Sequence, residues 1–237
     1  MLTVALAIIL RKKKARIVCS MTTIPQRYEL LPRTLDSLQA QTAVPDVIYI
    51  HVAPETKKGH RHDLQKLENL AKKYPNVRIN VIGEDLGPIT KIVPVEEFVN
   101  SGDKVVVVDD DVVYKPSMIR GLLESGHPAV GYAGRKDMVW IPGDRIKKEV
   151  HADFLETYAG AMYDGSLLKG LGGYNDSLGD TCMFQDDMKI GRFLKDKGVA
   201  RVILPTDDFC THDAGQTPEL RNENLEQGNQ VCFKKMF

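Results

Sequence analysis

The segment VVVVDDDVVYKP, from Val105 to Pro116, joins the most apolar run of a 237-residue chain to three consecutive carboxylates with no cation among them. A continuous apolar run bounded by turns reads as a central parallel strand, buried on both faces. Asp109, Asp110 and Asp111 then stand at its carboxyl end, where open α/β sheets bind their ligands. Adjacent carboxylates repel, most strongly where burial lowers the effective dielectric. A divalent cation relieves that repulsion, and hard oxygen donors suit Mg²⁺ or Mn²⁺. Alternate side chains of a strand share a face, so Asp109 and Asp111 are expected on one side and Asp110 on the other. The two could share a metal, or one could take a metal and the other a ribose hydroxyl. Capping of the following turn accounts for one such aspartate, not for three.

Outward from this strand, apolar runs alternate with helical patterns, the mark of an α/β layer architecture. ARIVCSMTT reads as a first strand, and Leu31, Leu35 and Leu38 at i, i+4, i+7 mark an amphipathic helix. DVIYIHV is a second strand; Leu64, Leu67, Leu70 and Ala71 mark a second helix; VRINVI is a third strand. A short helix is expected over residues 91–98, limited by Pro94. Pro116 is placed to open the helix in PSMIRGLLES. AVGYAG and EVHADFLETYAGAMY read as strands, DDMKIGRFLKDKG as a helix ended by Gly198, RVILP as a last strand, and the tail after Pro218 as weakly helical.

Apolar residues make up 43% and charged residues 27%, an ordinary globular composition, with 32 Lys and Arg against 32 Asp and Glu. Zero net charge gives no general attraction to nucleic acid or acidic membranes. Cys19, Cys182, Cys210 and Cys232 are scattered with no CxxC pair, which argues against a disulfide framework and fits a reducing compartment. Residues 1–15 read as an apolar and basic extension. LTVALAIIL is too short to span a bilayer, and the basic run follows it rather than preceding it as in a signal peptide. A stable membrane span is therefore not expected. An extra strand, or at most a weak membrane-surface contact, is what remains. The expected location is cytoplasmic, peripheral to a membrane at most.

Two further features carry chemistry. Asp186 and Asp187 open the helix in FQDDMKIG, where capping competes with a role in a cleft. His212, in DDFCTHDAG, gains meaning if the triple aspartate needs another metal ligand.

Together, CSMTTIPQRYELLPRTLDSLQAQTAVPDVIYIHV, EDLGPITK, VVVVDDDVVY and FQDDMKIGRFLKDKG resemble nucleotide-sugar glycosyltransferases of the GT-A fold, with similarity to the small domains encoded by large algal viruses (chloroviruses). The resemblance spans roughly residues 16–215. It implies one Rossmann-like α/β domain over 16–237, with a mostly parallel central sheet flanked by helices and a smaller mixed sheet. Residues 16–115 would form the nucleotide-sugar half and 116–237 the acceptor and catalytic half. Thr22, Thr23, Ile24, Pro25 and Arg27 would border the nucleotide, and Lys91 would reach the diphosphate. Asp109 would hold the ribose and, with Asp111 and His212, the Mn²⁺ or Mg²⁺; Asp110 would lie near. Asp187, with Asp186 close behind, would be the catalytic base of an inverting transfer from a UDP-sugar to a hydroxyl of a glycan acceptor. Gly160 and Ala161 would allow close backbone approach beside the sugar. Relatives often carry an acid after the second strand; here the segment is HVAPETKK, with Glu55 as a substitute. The rivals are a haloacid-dehalogenase-type phosphatase and a non-catalytic nucleotide-sugar-binding module. The phosphatase places its nucleophilic Asp on the first strand, whereas here about three strands precede it.

Overall fold

Strand β1 (Ile17–Thr22) lies between β2 (Val47–Val52) and β4 (Lys104–Val107), and β3 (Val77–Val81) adds to β2, all four parallel. The computed structural model describes residues 15–179, 182–207, 210–212 and 229–237, with backbone alone at 210–212 and 229. The N-terminal extension and its expected membrane contact lie, apart from residue 15, outside the described residues. Helices α1 (Leu31–Gln39) and α2 (Leu64–Ala71) follow β1 and β2, and the leucines at helical spacing face inward. Leu31, Leu35, Leu38 and Leu67 are fully buried, and Asp63 caps α2 by accepting from the Lys66 amide. The helix expected over 91–98 is instead two 3-10 turns, Gly87–Lys91 and Val93–Phe98, because Pro94 supplies no amide for a longer α-helix.

The four valines explain the centre of the sheet. All are fully buried, and they alternate between two cores. Val106 and Val108 pack with the leucines of α1, while Val105 and Val107 pack on the opposite face with Ile89, Leu171 and Ile190. Each such side chain contributes roughly 1.5–3 kcal/mol of burial, which anchors the strand whose end carries the charges.

After β4 the chain makes β5 (Val112–Tyr114), α3 (Met118–Glu124), β6 (Ala129–Gly131), β7 (Ala133–Lys136), β8 (Val139–Pro142), β9 (Val150–Ala152), β10 (Phe154–Leu155) and β11 (Ala161–Asp164). Helices α4 (Leu171–Leu178) and α5 (Asp186–Asp196), strands β12 (Arg201–Ile203) and β13 (Cys210–His212), and helix α6 (Asn229–Met236) complete it. The main sheet has the order β3-β2-β1-β4-β11-β6-β12-β9, with β11 antiparallel beside β4. Strands β10-β7-β8 form a smaller antiparallel sheet, and β13 pairs with β5. Pro116 precedes α3 rather than opening it; its carbonyl accepts the Thr42 amide, and Ser117 stands at the N-cap.

Helix α5 presses directly on β10. A Cβ at Gly191 would sit 2.4 Å from the Cβ of Phe154, so only glycine permits this approach. In the same region Cys182 and Cys232 form a disulfide, which overturns the expectation of unpaired thiols. It ties the turn preceding α5 to α6, inside an apolar cluster with Met188 and Met236. Cys182 adopts a left-handed backbone (φ 54°), unfavourable for a residue with a Cβ, so the cross-link holds a strained turn. Among the described residues, no helix is long and apolar enough to cross a membrane.

Candidate active site

The three aspartates do not continue β4. They occupy a turn between Val107 and β5, so strand alternation does not govern them as expected. Asp110 and Asp111 share Arg27: its Nη1 lies 2.8 Å from Asp110 Oδ1 and 3.2 Å from Asp111 Oδ2. The other oxygen of Asp110 accepts from Thr23 Oγ1 at 2.6 Å, and its carbonyl accepts from Thr34 on α1. Asp109 turns the other way, toward Lys91, whose Nζ donates to Oδ1 at 2.6 Å. The Asp109 amide donates to the Tyr114 hydroxyl, which donates to the Tyr158 carbonyl.

Lys91 gathers the second acidic pair. Its Nζ lies 2.9 Å from Asp186 Oδ2 and donates to Thr157 Oγ1 at 3.0 Å. Thr157 in turn donates to Asp187 Oδ1 through its hydroxyl (2.8 Å) and its amide (3.2 Å). Neither aspartate caps α5, whose N-cap is Gln185 with no side-chain cap bond, so the capping role weighed for them is not what they perform. Asp186 Oδ2 is buried and has no partner of hydrogen-bond geometry, although it lies at ion-pair distance from Lys91.

The electrostatics follow from burial and crowding. Burial pushes the Asp111 carboxyl up to about 6; Arg27 opposes this while Asp110 and Asp109 add to it. Burial likewise raises Asp110, against Arg27 and Thr23. Asp187 is raised well above the carboxylate range by burial and by Asp186, with Lys91 pulling the other way. Burial alone would lower Lys91, but Asp109, Asp186 and Asp187 outweigh it and hold the ammonium charged.

These residues suit a hard divalent cation. Five carboxylates face two cations, Arg27 and Lys91, which leaves an excess of negative charge in a largely buried cluster. Among the described residues no three His, Cys, Asp or Glu side chains are grouped to enclose a metal on their own. A site of one or two carboxylates completed by substrate phosphates is the arrangement Mg²⁺ commonly adopts. The side chain of His212 lies outside the described residues, but the register sets its backbone opposite Val112, next to Asp111.

Other expected residues have other partners. Thr22 Oγ1 donates to the His51 carbonyl, and Ile24 and Pro25 lead into the 3-10 turn that presents Arg27. Glu55 bridges Arg61 on the surface and contacts none of the acids. Gly160 has φ 83°, and a Cβ there would sit 2.7 Å from Met118 Sδ; its smallness serves packing, not ligand approach. Ala161 is paired into β11 opposite Val107. The residue missed was Thr157, which links Lys91 to Asp187 and which no motif in ETYAG announces.

The family model described as "Glycosyltransferase like family 2" matches residues 17–162. The fold is similar to that of Staphylococcus aureus TarS residues 1–349 (TM-score 0.56, 15% identity, 89% of this chain and 63% of that one). It is also similar to TarS 1–349 in complex with UDP-GlcNAc (TM-score 0.60, 11% identity, 90% and 64% covered). A third similar structure is the mannosyltransferase PcManGT from Pyrobaculum calidifontis in complex with GDP-Man and Mn²⁺ (TM-score 0.60, 15% identity, 91% and 63% covered). The α/β arrangement is thus the GT-A fold, and the chain spans under two thirds of the length of these structures. A comparison with curated proteins finds no match.

Proposed function

This chain belongs to the glycosyltransferase family 2-like proteins, and from that premise we propose that its acidic cleft moves a sugar from a UDP-sugar to a hydroxyl of a glycan acceptor, with inversion. The observation that carries the reading is the bridging of two distant acid groups by Lys91: Asp109 after β4 and Asp186 at the start of α5, with Asp187 alongside on Thr157. Donor-side and base-side chemistry then meet in one cleft.

Asp111 and Asp109 would hold the divalent ion, whose contribution is Lewis-acid compensation of charge on the leaving diphosphate. His212 is proposed as a further ligand. Asp109 would also hold the ribose, and Thr23, Ile24 and Pro25 would border the nucleoside. Arg27 pairs with and orients Asp110, and so fixes the turn that presents its two neighbours. Lys91 supplies a fixed positive charge where negative charge develops on the phosphate oxygens. Asp187, whose proton affinity burial and Asp186 raise, takes the acceptor hydroxyl proton, and Thr157 aims it through two hydrogen bonds. A base opposite the leaving group gives inversion. The similar structures bind UDP-GlcNAc in one case and GDP-Man with Mn²⁺ in another, which supports a metal-assisted nucleotide-sugar donor.

The test is a panel of nucleotide sugars assayed for transfer and donor hydrolysis with Mn²⁺, with and without EDTA. Turnover of a UDP-sugar that EDTA abolishes supports the reading. Release of phosphate from an aryl phosphate, with no nucleotide sugar consumed, would sink it. Product NMR showing a retained anomeric configuration would overturn Asp187 as base.

A further inference from the structure

A row of polar side chains runs across three strands of the parallel sheet and ends on the backbone of Lys91. Asn80 on β3 donates through Nδ2 to His51 Nδ1 at 2.9 Å. His51 on β2 meets Ser20 Oγ through Nε2 at 3.0 Å. Ser20 on β1 donates to the Lys91 carbonyl at 2.5 Å. His51 and Ser20 are both fully buried. One proton arrangement satisfies every group. With Nδ1 accepting from the amide, the imidazole carries its proton on Nε2, gives it to Ser20, and leaves the serine hydroxyl free to donate onward. Burial, which pushes His51 down to about 3, keeps the ring neutral and this direction fixed.

Nothing in the sheet itself requires this row. Its neighbours on the same strands are Val18, Ile48, Ile50 and Met21, and buried polar groups cost free energy unless fully paired. Its terminus does have a requirement. Lys91 ends a 3-10 turn, Gly87–Lys91, too short for an α-helical ladder to hold it. Yet its Nζ must meet Asp109, Asp186 and Thr157 at once.

We propose that Asn80, His51 and Ser20 are positioning residues that fix the Lys91 backbone so that its ammonium bridges the two acid groups. This rests on Lys91 belonging to the active site proposed above. A small displacement of a charged group from its productive geometry is costly, because such interactions act only at the place where charge develops.

The experiment is a double-mutant cycle with Ser20→Ala and Lys91→Met, read by donor turnover, alongside acetic anhydride labelling of the nucleotide-free proteins. Ser20→Ala should lower kcat about tenfold with donor KM little changed, and should cost under about twofold once Lys91 is already Met. In the labelling, Lys91 should become several-fold more reactive in Ser20→Ala relative to exposed Lys66, while buried Lys189 stays protected. Additive kinetic losses, unchanged Lys91 labelling, or Lys91 and Lys189 exposed together would each overturn the proposal. If the wild type turns over no nucleotide sugar, the functional reading fails alone, and the labelling still decides the positioning.

Discussion

Arg27 and Lys91 hold their acids in opposite ways. Arg27 closes a local cluster: both Asp110 carboxylate oxygens are used, by Arg27 and Thr23, and these side chains come from the segment after the first strand and from the DDD turn. Lys91 instead spans the molecule, sharing one ammonium between the end of β4, the start of α5 and the Thr157 turn before β11. The Arg27 side is a frame, and the Lys91 side is a junction where the two halves of the chain meet. On the proposed function, groups that respond to a reacting substrate would belong at the junction, and those that shape the donor site in the frame.

Breaking the junction should cost the most. Asp187→Asn should slow transfer by about 10²–10⁴-fold while donor affinity by calorimetry stays within about twofold. Equal loss of both would make Asp187 part of the frame. Breaking the frame should appear first as instability. Asp110→Ala leaves the buried Arg27 short of its main partner, and urea unfolding should report a loss of about 3–5 kcal/mol. Opening the disulfide with Cys182→Ser plus Cys232→Ser should cost about 2–4 kcal/mol in the same assay. The loss should spare donor binding, since the cross-link braces α5 on the junction side.

A smaller effect separates Asp111 from its neighbours. Its carboxyl stands at about 6 when folded against an ordinary 3.8, so the folded state ionises it reluctantly. That contribution is full below the unfolded value and fades as pH rises through the folded one. The metal-free protein should therefore lose stability between about pH 4 and 6, by at most about 3 kcal/mol. Asp111→Asn should flatten that part of the profile. A divalent ion with donor should oppose the loss, because a ligating carboxylate must be deprotonated.

The core of the fold was largely legible in the sequence, and the contacts within the site were not. Leu31, Leu35 and Leu38 and the four valines carry their burial pattern on their surface, because periodicity reports which face is covered. The acids Asp109 to Asp111, Asp186 and Asp187 stood out as charges beside apolar runs. The resemblance placed them in one site, but their individual contacts did not show, because these depend on a turn that breaks strand alternation and on Thr157, a residue with no motif. His51 and Ser20 lie inside strand-like runs, where a polar residue looks like the solvent-facing half of an alternation. The Cys182–Cys232 bond joins residues 50 apart in sequence, and spacing alone carries no sign of it. Strands β5 and β13, three residues each, are too short to show a period.

The most direct measurement is a Mn²⁺ titration followed by electron paramagnetic resonance, with UDP-sugar present, on wild type, Asp111→Asn and Asp187→Asn. One tightly bound ion per chain is expected in the wild type and in Asp187→Asn, and a lost or strongly weakened ion in Asp111→Asn. Metal held equally well without the Asp111 carboxylate, or lost with Asp187, would contradict the division of the cleft into a metal-bearing donor side and a proton-accepting junction.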